Sequence, residues 1–151
     1  MTSRQALLLG AAVLTTVFFL APVGCGGSGS PTTDVKVSLK EWSITPDLVA
    51  AKTGKVRFVV TNDGTEPHEF VILKTDLALD ALPAVEGKVD EDKTNHIDEI
   101  EAFAANKTET KTVGLKAGRY VFICNIVELP PGQPVLSHYQ SGMRFAFTVS
   151  Q

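Results

Sequence analysis

Residues able to bind metals or carry redox chemistry are scarce in this chain of 151 residues, which has two cysteines, two methionines and three histidines. One cysteine, Cys25, stands at the edge of an apolar leader. The rest of the chain therefore holds a single thiol, Cys124, and an internal disulfide is excluded. Basic clusters are also missing. A duplex-binding protein neutralises phosphates with grouped Lys and Arg, whereas 14 basic residues are scattered here among 17 acidic ones for a formal charge of −3, which argues against nucleic acid as a partner. There is no internal repeat. A composition 44% hydrophobic and 21% charged, at a length of one ordinary domain, excludes a repeat array or a multidomain enzyme.

What is present begins with the leader. Arg4 is its only charged side chain, and Ala6 to Leu20 is an uncharged run of 15 residues, the build of an export signal. Extended to Val23 the run reaches 18 residues. A short membrane anchor is thus the alternative, but a spanning helix needs roughly 20 residues and Pro22 interrupts this one. Small residues then lead into Cys25 and a run of Gly and Ser that cannot pack. The arrangement resembles a bacterial lipoprotein signal, which implies lipidation of Cys25 as the first mature residue. The match is imperfect, because Pro22 stands three residues before the cysteine where such signals prefer leucine. The expected organisation is an export signal over 1–24, a Gly/Ser linker over 25–33 acting as a flexible tether, and one domain over 34–151.

Within that domain apolar residues alternate with polar ones. Val35, Val37 and Leu39 form one such row, and Val56, Phe58 and Val60 another. A period of two predicts strands with one buried face. The same pattern runs through Glu69 to Lys74, Thr110 to Leu115, Arg119 to Cys124 and Arg144 to Val149, with glycine turns at Gly54, Gly64 and Gly118 between strands. Many short strands separated by turns predict an all-β sandwich. The stretch from Asp76 to Asn106 breaks the alternation. Leu77, Leu79 and Leu82, then Ile97, Ile100 and Phe103, fall at near-helical spacing and predict an excursion with one or two short helices. Between Glu86 and Glu101 it holds seven acidic residues against two lysines, which reads as a solvated face.

Four residues carry the chemistry: His68, Cys124, His138 and Met143. His68 follows Pro67 just before a strand, Cys124 closes a strand, and His138 and Met143 immediately precede the last strand. If the last two strands pair antiparallel, the loop between Cys124 and Met143 emerges at one end of the sandwich. Thiolate and thioether are soft and favour Cu(I), imidazole suits both copper states, and two His with one Cys and a weak axial Met make a blue-copper set. The third histidine, His96, lies in the acidic excursion and reads as a surface residue.

These residues resemble those of the cupredoxins, the plastocyanin-like small blue copper proteins. The resemblance covers most of Val35 to Val149 and rests on Gly54-x-Val-x-Phe-x-Val-x-Asn62, Pro67-His68, Gly118-x-Tyr-x-Phe-x-Cys124 and His138-x4-Met143. It implies a Greek-key β-sandwich holding one type 1 copper, with His68, Cys124 and His138 as equatorial ligands and Met143 as the axial one. Gln140 competes for the axial position, since an amide oxygen also serves at some blue sites. The resemblance further implies that the imidazole edge of His138 reaches the surface; Leu129, Pro130, Pro131, Val135, Leu136 and Tyr139 surround His138 in sequence and either form an apolar rim around that edge or pack the long loop against the sandwich.

Two features depart from the family pattern. Thirteen residues, three of them proline, separate Cys124 from His138 where the family has a few. Glu69 also stands where the family often has an asparagine that bonds to the cysteine loop, which leaves Asn125 as a replacement donor. By resemblance the chain is an electron carrier outside the cytoplasmic membrane. It would not be an enzyme: it would act as a monomer on redox partner proteins, with no small-molecule substrate, held to the membrane by a lipid anchor or periplasmic without one. The alternative is a copper chaperone or delivery protein of the cell envelope. Such proteins rely on methionine-rich or exposed thiol clusters, and this chain has only Met1 and Met143. Multicopper oxidases and nitrite reductases need more histidines than three.

Overall fold

The computed structural model describes residues 31–151. The leader, Cys25 and the linker as far as residue 30 lie outside the described residues. Thirteen strands follow in order: β1 (Thr33–Lys40), β2 (Ser43–Pro46), β3 (Ala50–Lys52), β4 (Gly54–Asn62), β5 (His68–Lys74), β6 (Ala84–Val85), β7 (Lys88–Val89), β8 (His96–Phe103), β9 (Thr108–Leu115), β10 (Gly118–Ile123), β11 (Val127–Glu128), β12 (Leu136–Ser137) and β13 (Arg144–Ser150). A single-turn helix, α1 (His138–Ser141), precedes the last strand. Among the described residues no helix is long and apolar enough to cross a membrane.

One sheet has the order β2-β1-β4-β9 and the other β3-β13-β10-β5-β8. They face each other as the β-sandwich that the alternation predicts. Strand β1 runs parallel to β4, and β3 parallel to β13, while the remaining pairs in both sheets are antiparallel. The alternating rows supply the core: Val35, Val37 and Leu39 meet Val56, Phe58 and Val60 from one sheet and Phe70, Ile72, Phe122 and Phe147 from the other. Phe58 stands at the centre, 5.4, 5.3 and 6.2 Å from the rings of Phe70, Phe122 and Phe147. Burying each such side chain contributes about 1.5–3 kcal/mol, and tilted or edge-on ring pairs add to that.

Strands β5 and β10 are buried on both faces. Their outward residues Val71, Leu73, Val121 and Ile123 form a second core with Leu82, Val89 and Tyr139. The cover comes from the excursion, and here the sequence expectation is corrected. In place of α-helices it contains the β6–β7 hairpin, one 3-10 turn at Glu91–Lys93 and the eight-residue strand β8. The helical spacing of Ile97, Ile100 and Phe103 has a strand explanation. His68 pairs with Phe103 and Phe70 with Ile100, so β8 spends three residues where β5 spends two. Such a bulge resets the alternation and lets residues three apart pack against one core, as Ile97, Ile100 and Phe103 do.

Candidate metal centre

Strand pairing delivers the candidate residues to one end of the sandwich. β10 pairs with β13 so that Ile123 lies opposite Arg144 and with β5 so that Ile123 lies opposite Val71. Cys124, one residue past β10, therefore comes beside the start of β5, where His68 stands, and beside Met143. The Cys124 N–H donates to the Met143 carbonyl at 3.1 Å, and the Met143 N–H to the His138 carbonyl at 3.0 Å. Ser137 caps α1 by accepting from the Gln140 N–H at 3.2 Å. At the other end of this helix Gly142 takes φ +129°, and a Cβ there would lie 2.7 Å from the Trp42 carbonyl oxygen. The turn into Met143 thus requires glycine.

All four residues are fully buried. His68 Nδ1 and His138 Nδ1 are 3.3 Å apart, His138 Nδ1 is 3.3 Å from Cys124 Sγ, and His68 Nδ1 is 4.0 Å from Sγ. A point equidistant from the three atoms lies about 2.1 Å from each, close to metal–nitrogen and metal–sulfur bond lengths of about 2.0–2.3 Å. Both imidazoles turn Nδ1 inward and Nε2 outward towards a carboxylate. Glu128 Oε1 is 3.1 Å from His138 Nε2, and Glu41 Oε1 is 3.5 Å from His68 Nε2. The second distance is too long for a sound hydrogen bond, which leaves the buried Nε2 of His68 without a hydrogen-bond partner. Met143 is buried with Cys124 in the main core, while Gln140 is exposed along the groove of Val85, Leu129 and Val135.

Electrostatics follow from burial. Desolvation pushes the Cys124 thiol up to about 12, opposed by backbone N–H groups including that of Glu69, which donates to Sγ at 3.4 Å. His68 is shifted below the ordinary imidazole value by burial first and by its neighbour His138 second, so it is held neutral. Glu41 is drawn down to about 2 by backbone donors, chief among them the N–H of Glu66. Its Oε1 accepts from the N–H of Thr65 at 2.6 Å and of Glu66 at 2.8 Å, fastening the loop that presents His68. Gly64 makes room for this clamp, since a Cβ would fall 2.7 Å from Glu41 Oε1 and 2.9 Å from His68 Nε2.

The cross-loop bond is carried differently from the expectation. Glu69 Oε1 accepts the backbone N–H of Asn125 at 2.6 Å, whereas the Asn125 side chain holds the excursion, accepting from the Val89 N–H at 2.7 Å and donating to Glu91 at 2.7 Å. Burial, together with Glu91 and Glu99, raises Glu69 to about 7 against the pull of that N–H. His96 is exposed, with Glu91 and Glu99 oxygens at 3.7 and 3.8 Å.

The expected exposure of the His138 edge is overturned, since that ring is fully buried. The thirteen-residue insertion folds into the β11–β12 hairpin, with Val127 opposite Ser137 and Glu128 opposite Leu136, and lays Glu128 over Nε2. Trp42 closes another side, edge-on to His138 at 5.1 Å. Of the expected rim, Leu129 and Val135 are exposed, but Tyr139 is buried in the second core with its hydroxyl donating to the Leu79 carbonyl at 2.7 Å. Sequence reasoning missed Glu41, Trp42 and Glu128. For Glu128 the available signal was an acidic residue inside the insertion between two candidate ligands.

His68, Cys124, His138 and Met143 form a type 1 copper-like site, because two imidazoles, a thiol and a thioether are the donors that such copper takes. The profile of the Cupredoxin-like domain matches residues 10–135. It ends before His138 and Met143, so their placement rests on the geometry above. Auracyanin from Roseiflexus castenholzii, solved after dithionite reduction, is similar in structure with a TM-score of 0.57 and 21% identity, over 79% of this chain and 98% of that one. Auracyanin A, a blue copper protein of Chloroflexus aurantiacus, gives 0.51 and 23% over 80% and 100%. Rusticyanin of Thiobacillus ferrooxidans gives 0.51 and 19% over 79% and 77%. No curated protein sequence matches the chain.

Proposed function

The chain belongs to the cupredoxin-like domain family, and from that premise we propose that it is an electron carrier with one type 1 copper, held by His68, Cys124 and His138 with Met143 as axial ligand. The observation that carries this reading is the triangle of two Nδ1 atoms and one Sγ with sides of 3.3, 3.3 and 4.0 Å. When bound, copper supplies a one-electron Cu(II)/Cu(I) couple.

The protein supplies rigidity and dryness. His68 is held by the loop clamped on Glu41, Cys124 by the end of β10 and its bond to Met143, and His138 by α1 and the bond of its N–H to the Ile126 carbonyl at 3.0 Å. Anchors on separate elements keep the donors in place whichever oxidation state is present. Complete burial of all four residues leaves no approach for a substrate, which supports a carrier over an enzyme. The same burial disfavours a copper chaperone, whose ligands must be reachable by the recipient.

The chain acts as a monomer on redox partner proteins at the outer face of the cytoplasmic membrane, anchored by lipid on Cys25. The outer-face location and the lipid anchor are supported by the composition of residues 1–33 alone. A partner meets the half-exposed Trp42 and the β11–β12 hairpin in place of a bare imidazole edge. Cyclic voltammetry of the copper-loaded protein tests the function: a carrier gives a reversible wave and keeps its metal over many cycles, whereas a delivery protein loses copper to a chelator on reduction.

A further inference from the structure

The insertion between Cys124 and His138 does more than lengthen a loop, because it places a single carboxylate against the outer nitrogen of a buried imidazole. Glu128 sits on β11 opposite Leu136 on β12. The hairpin is pinned by the His138 N–H on the Ile126 carbonyl at 3.0 Å and by the Ser137 hydroxyl donating to the Gly87 carbonyl at 2.5 Å. Among the described residues the side chain of Glu128 has one hydrogen-bond partner, His138 Nε2 at 3.1 Å. Glu41, by contrast, spends its oxygen on two backbone N–H groups and lies 3.5 Å from His68.

We propose that Glu128 is a positioning residue for the copper centre: it holds His138 as the tautomer with its proton on Nε2 and its Nδ1 free to ligate, and its charge favours Cu(II) over Cu(I). The proposal rests on the reading of His138 as a ligand. A carboxylate accepts and never donates when ionised, so the atom it faces must be N–H. A neutral imidazole with its proton on Nε2 presents a bare Nδ1. That bare nitrogen faces Cys124 Sγ at 3.3 Å, and a thiol proton on sulfur can point at it. The contacts are consistent with one another: on the inner side Nδ1 faces two groups able to donate, the Cys124 S–H and the His68 Nδ1, both at 3.3 Å, and on the outer side Nε2–H meets the carboxylate. Carboxylates in this position orient metal-binding histidines and raise their basicity. Cu(II) carries one more positive charge than Cu(I), so a fixed negative charge one imidazole away stabilises the oxidised state more.

The test uses the full chain as wild type, Glu128→Gln, Glu128→Ala and Glu86→Gln. The last removes an equal charge from an exposed residue on the neighbouring hairpin. In the metal-free protein, nitrogen-15 NMR should show His138 as the Nε2–H tautomer in wild type and Glu128→Gln, whose amide oxygen still accepts, and as a mixture in Glu128→Ala. In the copper-loaded protein Glu128→Gln should raise the Cu(I)-to-Cu(II) affinity ratio about tenfold, which is 59 mV on the reduction potential. Glu128→Ala should in addition weaken metal binding by about 10–100-fold, and Glu86→Gln should leave the potential near that of wild type. A purely structural hairpin residue would change melting temperature and leave the potential in place. The proposal is overturned by an unmoved potential in Glu128→Gln, by an equal shift in Glu86→Gln, or by a pure Nε2–H tautomer surviving in Glu128→Ala. Failure of the underlying ligand reading has its own sign, a wild type without copper colour, and the proposal falls with it.

Discussion

Copper uptake by this site should release one proton, and Cys124 should be its source. The ligand form of cysteine is the thiolate, yet burial takes the Cys124 thiol from 9.0 up to about 12. Without metal it is therefore protonated throughout the physiological range. His68, shifted downward by burial and by His138, is neutral and contributes no proton. Binding replaces a protonated thiol by a metal-bound thiolate, so apparent affinity rises tenfold for each pH unit and levels off only above about 12. At pH 7 the five units below that value correspond to about 7 kcal/mol of intrinsic metal–thiolate bonding spent on deprotonation, about 4 kcal/mol of it due to the burial shift alone. Isothermal calorimetry between pH 8 and 9 checks this, run in two buffers of different ionisation enthalpy with Zn(II) as a redox-silent probe beside copper. The buffer dependence of the heat should give one proton released per metal. A count near zero would refute the desolvation argument, because the thiol would then be ionised already; a count of two would contradict the downward shift of His68.

Three further outcomes follow from the same geometry. Gly64→Ala drives a Cβ to within 2.7 Å of Glu41 Oε1 and 2.9 Å of His68 Nε2, so copper affinity should fall about 10–100-fold while circular dichroism keeps the strand signal; unchanged affinity would show that the Glu41 clamp does not position His68. Met143→Leu should stay blue with a reduction potential raised by tens of millivolts, since a weak axial ligand tunes the potential without defining the colour; a clear shift in Gln140→Leu with none in Met143→Leu would move the axial role to Gln140. Mass spectrometry of membrane-extracted protein should find the mature chain starting at a lipidated Cys25, and an unmodified Cys25 or an intact Met1 would count against the anchor.

Six of the seven long strands were legible, most plainly β1 and β4, where Val35, Val37, Leu39 and Val56, Phe58, Val60 alternate without interruption and are buried in that register, while β5 and β10 were visible as short apolar runs between turns. Strand β8 was hidden for the converse reason. Its two register shifts against β5 convert period two into steps of three, and no local signal distinguishes that from a helix. The two-residue strands of the β11–β12 hairpin lie among prolines and are too short to show any period. The candidate ligands could be named because their chemistry is rare in the chain. Their supports could not be, because Glu41 and His68 lie 27 positions apart and Glu128 is one of many acidic residues. Its place inside the insertion sets Glu128 apart in the sequence, but only the folded hairpin shows that it faces His138 Nε2. The buried His138 edge has the same origin, since an insertion of thirteen residues is visible in the sequence but the surface it covers is not.

The most direct test of a copper site built on His68, Cys124 and His138 is the optical and electron paramagnetic resonance spectrum of the copper-loaded chain, taken for wild type beside Cys124→Ser. Wild type should show an intense thiolate-to-copper band with narrow copper hyperfine splitting. Both should be lost in Cys124→Ser, with circular dichroism showing the sandwich still folded. A Cys124→Ser protein that remained blue would contradict a copper site built on these residues.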